Sequence, residues 1–265
     1  MTTSSSHPAI ARIRSDHRPH PLVMSHRGDS CHHPENTLAS FQAATDLGVA
    51  IQEFDVRELS CGELVCIHDA SFDRTSNAND LLGPGTLVAR VPWATASKLD
   101  AGSWHPRGQA SERIPTLAQA LEVMLPACVP LIEHKAGSAS RYVEFLRTNQ
   151  RTDQVILQSF DWQFLKDVHN LAPEIAIGAL GPNHLFPAPS DDAIALVQAF
   201  GAKLVHWRAR DLTSNDVDRI HAAGLLACTY TTDDEQGWLS GRKMGVDAMC
   251  TNDPQSMINA LWLGT

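Results

Sequence analysis

The sequence predicts a (β/α)8 TIM barrel with a small insertion, and three observations carry that prediction. Short apolar runs alternate with segments of helical period along most of the chain. The alternation repeats about eight times, which implies parallel strands joined by right-handed crossovers. Polar residues suited to chemistry end strand after strand, where barrel enzymes carry their active sites. These ends are His26-Arg27, Glu53 and Asp55, Glu133 and Lys135, Gln158, Tyr230, and Asn252-Asp253.

The elements follow in order. Residues 1–21 are polar with scattered Arg and His, and are expected to form a flexible tail that includes His7, His17 and His20. One barrel domain is expected over 22–265. LVMS at 22–25 is a buried strand. ENTLASFQAATDLG sets Leu38, Phe41, Ala44 and Leu47 on one helical face, with Gly48 as the stop. AIQEFDV is the next strand, and LVCIHD follows a turn at Gly62. Residues 70–114 break the rhythm, being rich in Gly, Pro and Ser with no long helical period. They are expected to fold over the barrel mouth as an insertion without a core of its own. PLIEHK is a strand and SRYVEFLRTN a helix. VILQSF, EIAIGAL, KLVHW, LLACTYT and VDAMCTN are further strands, with helices near 161–171, 191–200, 214–223, 234–243 and 254–262.

The chain has 265 residues, which suits one barrel. A net charge of -9 argues against broad binding to nucleic acid or anionic membranes. It leaves an anionic substrate open, because one metal ion reverses a local field. No apolar run reaches signal-peptide or membrane-span length, so a cytoplasmic location is expected. The six cysteines form no C-x-x-C pair. Several lie in apolar runs and are expected to be buried thiols of a reducing compartment.

Glu53 and Asp55 stand two apart on a strand, so both carboxylates point to one face. Facing inward, they repel unless a cation or proton shares the site. The alternative is a salt-bridged or solvated pair. Glu133 ends another strand and offers a third oxygen. Three hard oxygen ligands with open positions suit Mg²⁺ or Ca²⁺ better than Zn²⁺. Lys135 shares the face of Glu133, where it contacts a phosphate or balances the acidic charge. His134 points the other way and reads as structural. His26 and His68 each follow an apolar run. Cleaving a phosphoester needs one proton removed and one supplied, and two imidazoles near neutral pKa do both. Arg27 offers a planar fork for phosphate oxygens, and Gly28 permits a turn that a side chain blocks. A lone strand-end histidine is more often structural, but two beside a carboxylate cluster shift that balance.

The ordered set His26-Arg27-Gly28, Pro34-Glu35-Asn36-Thr37, Glu53-x-Asp55, His68-Asp69 and Asp73-Arg74-Thr75 resembles the glycerophosphodiester phosphodiesterase family. Later echoes are Gly102-Ser103-Trp104, Ile114-Pro115-Thr116-Leu117, Ile132-Glu133-x-Lys135, Ser159-Phe160, Tyr230 through Asp234, and Gly245 through Pro254. The resemblance covers roughly residues 22–262. It implies the barrel, an insertion after the second strand, and hydrolysis of glycerophosphodiesters to glycerol 3-phosphate and an alcohol. It implies His26 and His68 as the acid/base pair and Glu53, Asp55 and Glu133 as ligands of one divalent cation, Mg²⁺ or Ca²⁺. It places Arg27 and Lys135 at the phosphate and Glu35 in support of Arg27 or His26. Tyr230 stands where the family usually has Trp, which bears on substrate preference. Specificity is sought in Trp93, Trp104 and His105 of the insertion and in Phe160, Trp207 and Tyr230 of the late strands. His32-His33 is unusual before the PENT segment and reads as loop.

The neighbouring reading is a related barrel enzyme, sphingomyelinase D-like or phospholipase C-like, acting on lysophospholipids. Such enzymes work at membranes, and no basic amphipathic or aromatic docking surface shows in the sequence. A non-catalytic binder of phosphorylated glycerol compounds is disfavoured because every matching site position is present. A barrel lyase usually needs a base lysine facing carboxylates on several strands, and only Lys135 qualifies.

Overall fold

A computed structural model describes residues 7–16, 18, 21–107 and 112–263; His17 and His20 lie outside them. The chain opens with α1 (Pro8–Ser15), β1 (Leu22–His26), α2 (Leu38–Asp46), β2 (Ile51–Glu58) and β3 (Leu64–Cys66). Two short helices follow, α3 (Ala78–Leu81) and α4 (Trp93–Ala96), then α5 (Leu117–Met124) and β4 (Val129–His134). The remainder alternates strictly: α6 (Ala139–Thr148), β5 (Ile156–Ser159), α7 (Trp162–Leu171), β6 (Ala176–Gly181), α8 (Asp191–Ala199), β7 (Leu204–Arg208), α9 (Ser214–Ala222), β8 (Leu226–Tyr230), α10 (Glu235–Met244), β9 (Ala248–Thr251) and α11 (Pro254–Ile258).

The sheet runs in the order β1-β9-β8-β7-β6-β5-β4-β2-β3, and an extra β1–β2 pairing closes it. The closed set is the eight-stranded barrel of the predicted fold class. Strand β3 stands outside it, pairing antiparallel with the last residues of β2 (Val56↔Cys66, Glu58↔Leu64). The run LVC therefore forms a hairpin with β2 and is no barrel strand. Its apolar pattern is the same either way, because burial on both faces does not encode strand direction.

The chain divides into two compact units, one of them Met24–Gly137 with Asn252–Ser256. Its strands β1, β2 and β4 are parallel and in tight register: His26↔Glu53 and Asp55↔Glu133 are direct neighbours. Phe54 points away from the two flanking carboxylates and meets Phe41 of α2 edge-on, ring centres 5.4 Å apart. Helix α2 starts at a capping box: Thr37 accepts from the Ser40 backbone N–H, and Ser40 Oγ accepts from that of Thr37.

The insertion between β2 and β4 belongs to this unit, and its apolar residues bury jointly with those of the hairpin. Phe72, Ala78, Val88, Val91, Ala96, Leu99, Ala101 and Ile114 bury together with Leu59, Val65 and Ile67 of the hairpin, and Trp93 packs against them. The sequence shows no helical period there because α3 and α4 are four residues each. His105 is 8% exposed and Trp104 donates from its indole N–H to the Ala101 carbonyl, so both serve packing.

The other unit holds β5 to β9 and their helices, and also α1. Residues 8–15, expected to be part of a flexible tail, are helical, with Ala9, Ile10 and Ile13 buried. His7 caps this helix, accepting from the Ala9 N–H at Nδ1. Trp207 is 1% exposed and is a core residue, which removes it from the candidate substrate contacts. Four cysteines are buried as expected, whereas Cys31 and Cys61 are exposed. No helix among the described residues is long and apolar enough to cross a membrane.

Candidate active site

The site assembles from the register of three adjacent strands. Glu53 and Asp55 share one face of β2, and Asp55 sits beside Glu133 of β4. One oxygen from each of Glu53, Asp55 and Glu133 lies within 4.8 Å of the others, and all three residues are buried. On the opposite flank of β2, His26 ends β1 with Nε2 3.9 Å from Glu53 Oε2. His68 lies two residues past β3, carried in by the hairpin, and Arg57 ties down its carbonyl at 2.9 Å.

Cations surround the acids. Arg27 Nε lies 3.0 Å from Asp55 Oδ2, and its Nη1 donates to Glu35 at 2.8 Å. Lys135 Nζ contacts Glu133 directly and lies 3.2 Å from Asp55 Oδ1. Glu35 passes the network on to Arg74, which donates two hydrogen bonds to it and two to Asp69. Asp69 in turn meets His68 Nδ1 at 2.6 Å. A chain of alternating charge therefore joins His68 to Asp55.

The backbone is shaped for this. Arg27 has φ +60 and Asn36 φ +56, a left-handed region that costs a residue with a Cβ. Gly28 has φ +82, and a Cβ there would stand 2.5 Å from the backbone carbon of Ser40. The Arg27 turn is held from both sides: its N–H donates to the Glu53 carbonyl, and its carbonyl accepts from Asn36 N–H and Ser40 Oγ.

The electrostatics follow from burial. Desolvation, then repulsion from Asp55 and Glu133, pushes Glu53 well above the usual carboxylate range. Burial, then repulsion from Asp55, pushes Glu133 up to about 7, against the pull of Lys135. Burial also works against ionised Asp55, but Arg27 and Lys135 outweigh it and hold the group at about 2. Three converging carboxylates with two of them driven toward protonation form a set short of positive charge. A divalent cation would supply that charge, and carboxylate oxygens are the donors hard cations take. Burial, then Arg27, lowers His26 to about 4. His68 is also lowered by burial, while nearby Asp55 and its partner Asp69 pull it back up.

The structure thus brings together His26, Arg27, Glu35, Glu53, Asp55, His68, Glu133 and Lys135. Phe160 and Tyr230 meet each other in the other unit, edge to face with ring centres 6.0 Å apart. The Tyr230 hydroxyl donates to the Gly181 carbonyl, so it is engaged within the fold. Lys135 pairs with both Glu133 and Asp55. His134 bonds the Gly137 carbonyl through Nε2, as a structural residue does.

Three residues of the site have no assigned role in the sequence reading. Asn252 Oδ1 lies 2.6 Å from His26 Nδ1 and accepts from Ser30 Oγ. Asn36 grips Asp55 twice, donating to Oδ2 and accepting from the Asp55 N–H. Arg74 joins Glu35 to Asp69. Asn36 carries a usable signal, since Asn is one of the few residues suited to a left-handed turn. Asn252 and Arg74 reach across long sequence separations, which no local pattern shows.

Comparison with known proteins identifies the family. The family model described as the glycerophosphoryl diester phosphodiesterase family matches residues 26–256. A glycerophosphodiester phosphodiesterase of Caldanaerobacter subterraneus subsp. tengcongensis is 30% identical over 250 residues, covering 92% of this chain and 98% of that protein. One from Bacillus subtilis is 27% identical over 253 residues, covering 88% and 84%. Among solved structures, an Oleispira antarctica phosphodiesterase in complex with the product sn-glycerol-3-phosphate has a TM-score of 0.80 at 30% identity, covering 91% of this chain and 96% of that one. The chain belongs to the glycerophosphoryl diester phosphodiesterase family and is an enzyme of that class.

Proposed function

We propose that this chain hydrolyses glycerophosphodiesters to glycerol 3-phosphate and an alcohol, with one divalent cation and two histidines at the reacting centre. The observation that carries the reading is the convergence of three buried carboxylates within 4.8 Å, beside His26. Glu53, Asp55 and Glu133 would hold Mg²⁺ or Ca²⁺. That ion neutralises phosphate charge and orients the diester when bound.

The protein's own residues supply the rest. Arg27 and Lys135 face the anionic diester and favour the charge that grows in the transition state. Asn252 holds Nδ1 of His26 and Asp69 holds Nδ1 of His68, which leaves Nε2 of each ring to exchange protons. The two environments differ in how strongly burial is opposed. Burial lowers both rings, His26 to about 4, which suits a base; at His68, which is less buried, Asp55 and Asp69 draw against the lowering, the pull an acid needs. His26 then takes the proton of the attacking hydroxyl and His68 protonates the leaving alcohol; with water as nucleophile this gives glycerol 3-phosphate directly, and with the glycerol 2-hydroxyl it gives a cyclic phosphate that water then opens. Phe160 and Tyr230 are the proposed aromatic contacts to the substrate. Glu35 fixes Arg27 from behind.

The test is release of glycerol 3-phosphate from glycerophosphocholine by the purified chain. Activity is lost on treatment with EDTA and returns with Mg²⁺ or Ca²⁺. Full activity after demetallation, or turnover of lysophospholipid alone, overturns the reading.

A further inference from the structure

A second cluster of metal-ligating side chains stands apart from the acidic one. Cys31, His32 and Asp253 each offer one ligand atom, and these atoms lie within 4.8 Å of one another. Among the described residues, this and the acidic trio are the two such clusters. The donor chemistry differs: a cysteine sulfur, an imidazole and a carboxylate in place of three carboxylates. Cys31 is exposed, and the other two are half-buried.

The surroundings are built for it. Asp29 is 5% exposed, and its carboxylate oxygens lie 2.9 and 3.1 Å from His32 Nδ1. A proton held there leaves the lone pair on Nε2, the arrangement of a metal-ligating histidine backed by a carboxylate. The loop is fastened at both ends: the Asp29 N–H donates to the Ser40 carbonyl, and the Cys31 N–H donates to the Asn252 carbonyl next to Asp253. The latter bond fixes the segment that carries two of the ligands against the one that carries the third.

We infer that Cys31, His32 and Asp253 form a second metal site, for a borderline-soft ion of the Zn²⁺ type, backed by Asp29. Three mixed S, N and O ligands with a fourth position open are a tetrahedral Zn²⁺ set. Bonds of about 2.0–2.3 Å put tetrahedral ligand atoms roughly 3.5 Å apart. The exposed Cys31 side chain closes the remaining gap by rotation. An ion here pins the loop after β1 to the segment after β9, one residue from the Asn252 that holds His26. Mg²⁺ and Ca²⁺ prefer the oxygen cluster, so the two sites sort ions by hardness.

The test uses the full chain in excess Mg²⁺ and Co²⁺ as the spectroscopic probe. One equivalent of Co²⁺ raises a near-ultraviolet thiolate-to-cobalt charge-transfer band, and Zn²⁺ displaces it. Cys31→Ser loses the band, Cys61→Ser keeps it, and Asp29→Asn weakens Co²⁺ binding by about 10–100-fold. Cys31 is exposed, so C31S folds, and its melting curve checks this. Absence of the band, its survival in C31S, or unchanged affinity in D29N overturns the proposal.

Discussion

Glu53→Gln separates the fold's own stability from the contribution of the proposed cation. Glu53 is 2% exposed, and one oxygen lies within 4.8 Å of oxygens on Asp55 and Glu133. At that distance and an effective dielectric constant near 20, each ionised pair repels by about 3.5 kcal/mol. Two such repulsions act on Glu53, and attraction to Arg27 and Lys135 offsets part of them. Proton uptake by the wild-type group relieves more, so neutral Gln should gain on the order of 1–3 kcal/mol in cation-free protein. With Mg²⁺ or Ca²⁺ the order reverses, because binding to the native state stabilises only the chain that keeps its ligand. The assay is denaturant unfolding of both proteins, once in EDTA and once in excess cation. Wild type should gain stability on adding cation, and E53Q should not. A marked loss of stability for E53Q in EDTA, or an equal response of both proteins to cation, refutes the reasoning.

Two further substitutions probe how the histidine and the arginine are held. Gly28→Ala puts a Cβ 2.5 Å from the Ser40 backbone at φ +82, so the Arg27 turn must shift. It should cost about 1–3 kcal/mol in unfolding assays and lower activity further than that loss alone explains. Asn252→Ala removes the partner of His26 Nδ1 without touching the acidic cluster. It should lower kcat about 10–100-fold with little change in KM and no change in cation affinity. An unchanged kcat would show that Asn252 does not position the ring.

The barrel is legible in the sequence because its strands are short apolar runs and its helices show clear periods. Elements that depart from the prediction do so for identifiable reasons. Helix α1 buries only Ala9, Ile10 and Ile13 in an Arg-rich segment, too weak a stripe to stand out. The cluster the insertion shares with the hairpin is built from single apolar residues on four-residue helices and turns, with no period to read. Strand β3 has an ordinary strand sequence, and only its partner makes it a hairpin.

The site is legible to a similar depth. The i, i+2 spacing of Glu53 and Asp55 fixes their shared face. Their meeting with Glu133 depends on the β2–β4 register, Asp55 opposite Glu133, which no local pattern encodes. His26 and His68 stand out as histidines after apolar runs. Their partners differ in visibility: Asp69 is adjacent, whereas Asn252 is 226 residues away from His26. Arg74 appears in the family-like Asp-Arg-Thr segment, yet its bridge from Glu35 to Asp69 emerges only in three dimensions.

The most direct test of the central claim is turnover of glycerophosphocholine by His26→Ala and His68→Ala at saturating Mg²⁺ or Ca²⁺. Each variant should bind cation and unfold like wild type, yet release glycerol 3-phosphate about 10²–10⁴-fold more slowly. Activity within a few-fold of wild type in both variants would contradict proton transfer by these two histidines.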